Sequence, residues 1–163
     1  MAAASFRIQS WNRMRKRAAM GASGWEYYVP YQEDLGAALT ALREKIFEEQ
    51  DYYWDPADDD GEPRFRPATI DELWEDEQTQ EEGTHSILDM DRIGRPGEPP
   101  TYGTVRPLGS AEATERVGTD RLTRAHVPAL APLTDDRWHG RCVVLHTAEG
   151  APREIYFWGV SGD

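Results

Sequence analysis

Apolar positions along this 163-residue chain recur with two different periods, and these set the expected fold. From Glu33 to about Gln50, Leu35, Ala38, Leu39, Leu42, Ile46 and Phe47 recur at intervals of three and four, with Glu44, Glu48 and Glu49 mostly away from them. That spacing predicts one long amphipathic helix, its first turn carrying Glu33 and Asp34 where they complement the helix dipole. Near the C-terminus, Arg141 to Thr147 and Arg153 to Val160 are β-branched and aromatic and flank a Gly/Pro turn, the pattern of a hairpin. Pairing Thr147 with Arg153 would set Leu145 opposite Ile155, Val144 opposite Tyr156, Val143 opposite Phe157, Cys142 opposite Trp158 and His146 opposite Glu154. Apolar side chains then occupy both faces, so the hairpin needs strands beside it and helices over it.

The remaining segments supply these. Trp25 to Tyr31 is aromatic and extended, with Pro30 restricting it to an edge or a strand end. Thr69-Ile-Asp-Glu72 is a capping box that opens a helix ending before Gly83. Thr84 to Asp91, bounded by Gly83 and Gly94, reads as a strand with Ser86, Leu88 and Met90 on one face and His85, Ile87, Asp89 and Asp91 on the other. Gly94 to Pro107 reads as loop. Ser110 could cap a short helix ended by Gly118, and a further turn follows Thr123 until Pro128 interrupts it. The expected class is α+β: an antiparallel sheet built on the C-terminal hairpin, joined by Trp25 to Tyr31 and Ile87 to Met90, with one long amphipathic helix and shorter helices packed on it.

Charge divides the chain. Thirty acidic against eighteen basic residues give a net charge of −12, yet residues 1–24 hold five bases and no acid, leaving −17 on residues 25–163. Residues 1–24 therefore read as a disordered basic extension, with Met20 offering a second start, and residues 25–163 as a single α+β domain. The acidic body repels nucleic acid and anionic membrane and suits a basic protein partner. A lone cysteine, Cys142, excludes an intrachain disulfide and fits a reducing cytoplasm. No apolar run reaches the length of a membrane span, and the basic N-terminus lacks the apolar stretch of a secretion signal, so the expected location is cytoplasmic.

Candidate chemistry is sparse. Among His85, Asp89 and Asp91, a strand would hold His85 and Asp89 about 13 Å apart, too far to share an ion, so no metal is expected and structural roles outweigh catalytic ones. Cys142 and His146 are equally separated on one strand, which excludes a thiolate and base pair there. His146 opposite Glu154 would be an exposed ion pair more readily than a catalytic one. Asp58, Asp60 and Gly61 invite a calcium loop, but Pro56 and Pro67 stand where its first and closing ligands belong. Tyr52, Tyr53 and Trp54 beside Asp58, Asp59 and Asp60 form a candidate binding patch for a basic protein, although packing of the aromatic rings back on the main helix is the more frequent outcome. No catalytic or cofactor-binding motif occurs, so no cofactor is expected.

Taken together, Trp25-Glu-Tyr-Tyr-Val-Pro-Tyr31, Gly83-Thr-His-Ser-Ile-Leu-Asp89 and Glu154-Ile-Tyr-Phe-Trp-Gly-Val-Ser-Gly-Asp163 resemble a group of uncharacterised small acidic hypothetical proteins from high-GC soil bacteria. The resemblance spans residues 25–163 and implies an intracellular bacterial protein; it carries no activity, cofactor or site residue. Two functions follow as expectations. The first is a protein-binding or inhibitor module, like an immunity protein or antitoxin, for a basic partner; the alternative is a small hydrolase or transferase with a cleft lined by His85, Asp89 and Asp91, with His146, Glu154 and Arg141 as further candidates. The sequence leans away from an enzyme and leaves the oligomeric state open.

Overall fold

The computed structural model describes residues 23–95, 97–134 and 136–162. The expected basic extension over 1–24 therefore lies outside the described residues except at its end, where Gly24 opens the first strand. Five strands form one sheet: β1 (Gly24–Pro30), β2 (Arg92–Ile93), β3 (Thr104–Pro107), β4 (His139–His146) and β5 (Pro152–Val160). Their order is β1-β5-β4-β3-β2. The C-terminal hairpin β4/β5 occupies the middle and β1 pairs antiparallel with β5, as the sequence suggests. On the other side, β3 joins β4 and β2 joins β3 in parallel. The sheet is thus mixed and not antiparallel. Parallel neighbours need a crossover, and the chain from Leu108 to Trp138 supplies one between β3 and β4.

The hairpin also pairs one residue away from the expected register. Val144 faces Ile155, Val143 faces Tyr156, Cys142 faces Phe157 and Leu145 faces Glu154, while His146 lies opposite Pro152. Arg153 has no counterpart on β4: an irregularity at Leu145/His146 absorbs it, which shifts every pair beyond the turn. Because side chains alternate between faces, that shift decides which residues share a core. Ile155 and Phe157 join Trp25, Cys142 and Val105 on one face, whereas Tyr156 and Trp158 join Leu145 and Tyr28 on the other.

Each face is covered by its own helices. The first carries α1 (Leu35–Glu48), α2 (Ile70–Glu75) and α3 (Glu77–Glu82). Asp34 caps α1 by accepting from the Ala37 N–H at 3.0 Å, and Ala38, Leu39, Leu42 and Ile46 make the buried stripe that the spacing predicts. At 14 residues α1 has an ordinary length and is not a long helix. Thr69 caps α2 as expected, accepting from the Glu72 N–H at 3.1 Å, but Asp76 breaks the helix. Its carboxylate caps α3 through the Thr79 N–H, and Gly83 at φ 76° ends that helix.

The second face carries α4 (Ser110–Val117) and α5 (Val127–Leu130), flanked by the 3₁₀ turns Arg124–His126 and Ala131–Leu133. Gly109, not Ser110, takes the capping position of α4, and Gly118 ends it in the left-handed region at φ 81°. Pro128 does not interrupt the next turn. It lies in the first turn of α5, where a missing N–H costs nothing.

Thr84 to Asp91 is not a strand. Gly83 and His85 both have positive φ, 76° and 53°, which takes the chain off an extended path. Ser86 then caps a 3₁₀ turn over Ile87–Asp89 by accepting from the Leu88 N–H. Ile87, Leu88 and Met90 are fully buried in the first core, so the apolar run is real but folds as a plug and not as a fourth antiparallel strand.

Candidate binding surface

The segment after α1 turns the three aromatic residues in different directions. Tyr52 stacks on Phe47 of α1 at 5.7 Å between ring centroids, and Trp54 packs against the first core with the Arg64 guanidinium 4.2 Å over its ring. Both are therefore structural to a large degree. Tyr53 differs: it is 39% exposed and its ring lies 4.7 Å from that of His85, nearly parallel to it. Burial, followed by the Glu82 and Asp55 carboxylates, raises its phenol above the ordinary value.

The acidic loop beyond is built to a fixed shape. Asp58 accepts from the N–H groups of Asp60 and Glu62 through one oxygen, at 3.0 and 2.8 Å, and Ala57 bridges Pro63. With that oxygen so engaged, Asp58 is a turn-former. Asp59 and Asp60 are exposed. The loop's return is pinned by Arg64, which donates to the Asp55 carbonyl and pairs with Asp76 at 2.5 Å. Burial opposes ionisation of Asp76, but the bonds from Arg64 and Thr79 prevail and hold its carboxyl below the usual range. Next to this anchor, Phe65 projects into solvent with 92% of its surface exposed.

Sixteen acids against three bases lie between Glu44 and Glu82, the stretch that forms the second half of α1, the loop, α2 and α3. The layer over one face of the sheet therefore carries a net −13, against −12 for the whole chain. Tyr53 and Phe65 stand within it. Phe65 has a local signal in the sequence, an apolar residue between two arginines and two prolines with no periodic partner, but isolated apolar residues are too common on surfaces to single it out.

The polar residues proposed for a cleft are separated by function. Asp89 is buried and accepts from the Thr84 N–H at 2.6 Å and the Thr84 hydroxyl at 2.7 Å, so it clamps the turn that carries Gly83 and His85. Burial raises its carboxyl, partly offset by the Ser161 and Thr84 hydroxyls and the nearby His85. The 3₁₀ turn thus brings His85 near Asp89, against the 13 Å separation a strand would give. Asp91 is exposed and its N–H bonds to the Gly103 carbonyl at 2.7 Å.

His146 does not face Glu154, because of the shifted register; its Nδ1 lies 3.2 Å from the Leu122 carbonyl. Glu154 instead takes two bonds from Arg124, at 2.5 and 2.8 Å. Cys142 is fully buried opposite Phe157 with its thiol pushed up to about 12 by desolvation, the state of a packed thiol and not of a nucleophile. No group of three or more His, Cys, Asp or Glu among the described residues is arranged to hold a metal ion. Nor is any helix among them long and apolar enough to cross a membrane. In comparisons with known proteins, no family model, curated protein or solved structure matches the chain.

Proposed function

We propose that the chain is a binding module for a basic protein, engaged through the acidic layer formed by residues 44–82 with Tyr53 and Phe65 as its apolar anchors. The observation that carries this reading is the segregation of charge: sixteen acids and three bases occupy the layer over one sheet face. Solubility alone would be served by charge of either sign spread over the surface. A one-signed field with exposed aromatic rings set in it favours fast capture of an oppositely charged partner and a buried contact at its centre. Inhibition of a basic protein, as by an immunity protein or antitoxin, is the form of binding such a surface suits.

The test is affinity capture from the native host at low and high salt, run in parallel with the chain carrying Phe65→Ser and Tyr53→Ser. The reading expects a basic protein retained at low salt, released at high salt and lost from the doubly substituted chain. Capture that ignores both salt and the two substitutions would count against it, as would recovery of no basic protein under either condition.

A further inference from the structure

The two edges of the sheet are unlike. One ends in β2, which is two residues long, and the other in β1, which is seven. The pairing of β1 with β5 fixes which backbone groups of β1 point outward. The Ser161 N–H bonds to the Ser23 carbonyl and the Tyr31 N–H to the Arg153 carbonyl, so residues 23 and 31 are bonded positions. Bonded positions alternate in an antiparallel ladder. Trp25, Tyr27 and Val29 therefore turn their backbone toward β5, and Gly24, Glu26, Tyr28 and Pro30 turn theirs away. Among the described residues, the amides of Gly24, Glu26 and Tyr28 have no backbone partner. An edge of this length left open is a template for another strand.

We propose that β1 pairs antiparallel with β1 of a second copy of this chain, about a two-fold axis at Tyr27, joining the two sheets into one. The register follows from the outward groups. With the axis at Tyr27, Glu26 lies opposite Tyr28 of the second copy and Gly24 opposite Pro30, so every outward donor meets a carbonyl, and Pro30, having no N–H, leaves only the Gly24 carbonyl without an inter-copy donor. An axis at Glu26 would set two carboxylates against each other. An axis at Tyr28 would carry Gly24 past the end of the partner strand.

Side chains on both faces agree with the Tyr27 axis. On one face, Trp25 meets Val29 and Tyr27 meets Tyr27, pairs of the aromatic and β-branched kind that stabilise adjacent strands. On the other, Arg124 lies 4.2 Å over the Tyr28 ring with its side chain 58% exposed. The Glu26 carboxylate of the second copy arrives opposite Tyr28, on the exposed side of that guanidinium, which is bonded to Glu154 through its Nε and one terminal nitrogen. One Glu26 oxygen accepts from the Tyr156 hydroxyl at 2.7 Å, which holds the carboxylate on this face of the strand. Each copy carries a net −12, so association should strengthen with salt, the reverse of binding to a basic partner.

Sedimentation of the full chain from micromolar to millimolar concentration, with backbone hydrogen exchange at both ends of the range, tests this. A reversible dimer is expected, in which the Glu26 and Tyr28 amides become protected as concentration rises while exposed amides of the 55–64 loop do not. Gly24→Pro removes two of the inter-copy bonds at a position where a strand tolerates proline, and should weaken the dimer about thirtyfold while leaving the fold intact. Glu26→Pro removes two bonds from the middle of the ladder and the carboxylate with them, and should weaken the dimer more than Gly24→Pro does; if that variant fails to fold, Gly24→Pro and the exchange pattern still decide. A chain that stays monomeric throughout overturns the proposal. So does a dimer indifferent to Gly24→Pro, or one in which Glu26 and Tyr28 remain unprotected.

Discussion

The two helical layers of this protein each bury a core, the larger under the first, and treat charge in opposite ways. Over the first face, the outer surface from Glu44 to Glu82 carries acids with almost no counter-charge. Over the second, residues 104–154 hold seven acids and seven bases, and the central ones are paired. Arg141, only 4% exposed, takes both oxygens of Glu112 at 3.0 and 2.6 Å and donates to the Arg106 carbonyl; Glu154, 10% exposed, is held by Arg124. Charge in the second layer serves the fold, because a buried ion without its partner is costly. Most charge in the first layer satisfies no such need. What a fold does not require is where a function has to be sought.

The sheet joins the layers, and breaking it has the largest expected effect. Ending the chain after Gly150 deletes β5, which lies between β1 and β4 and gives alternate side chains to both cores. That fragment should show no cooperative melting and no fixed near-ultraviolet circular dichroism; a fragment that melts sharply would mean the two layers fold without their shared strand. Next in size, Leu39→Ala under the first layer and Leu130→Ala under the second should each cost about 2–5 kcal/mol in denaturant unfolding. A negligible loss at one site would show that its layer is not part of the same cooperative unit.

Charge substitutions separate the layers more finely. Glu112→Ala leaves the Arg141 guanidinium buried with one carbonyl as its partner. Since Glu112 is itself 41% exposed, the loss should be about 2 kcal/mol, below that of a fully buried pair. Asp59→Asn with Asp60→Asn, in the first layer, should stay within about 0.5 kcal/mol of the parent. Equal effects from the two layers would contradict the division.

Acidity offers a subtler contrast. Bonding to Arg141 holds Glu112 below the usual carboxylate range, so its contribution is present above the unfolded value and lost as pH falls through the folded one. Asp89 is shifted the other way by burial. Its contribution is fully present below its unfolded value and declines as pH rises toward the folded one. Asp89→Asn keeps an acceptor for Thr84 and should therefore gain stability at neutral pH relative to acid, measured by thermal melting across that window. A variant whose relative stability is independent of pH would show that Asp89 ionises as freely folded as unfolded.

The sequence made the elements with a clear period legible. The α1 stripe and the two strands of the hairpin are where the apolar residues say, because burial of one helical face and of both sheet faces leaves a direct trace in spacing. β2 and β3 were not legible: Arg92–Ile93 and Thr104–Pro107 are too short to show alternation, and the parallel pairing of β3 with β4 joins residues more than thirty positions apart. Reading Thr84 to Asp91 as a strand fails because apolar density there comes from the buried 3₁₀ turn. A short apolar run carries no period to distinguish the two. The register went astray by one residue because Arg153 sits at an irregularity that composition does not mark.

The candidate surface was half legible. Asp59 and Asp60 are exposed as expected and Tyr53 remains outside, but Tyr52 and Trp54 go to α1 and the core, as the opposing reading of the aromatic cluster allowed. Phe65 enters only through the loop geometry fixed by Arg64. The acidity of the body was plain, but its concentration over one face required knowing that α2 and α3 lie on the same side of the sheet as α1.

Titration of the isotopically labelled full chain with a lysine-rich peptide, followed by backbone amide resonances, tests the central claim that this one layer is the binding surface. At low salt, shifts should concentrate between Glu44 and Glu82, include Tyr53 and Phe65, spare residues 104–154, and collapse at high salt. Shifts spread evenly over both layers, or centred on the paired charges around Arg141 and Arg124, would contradict it.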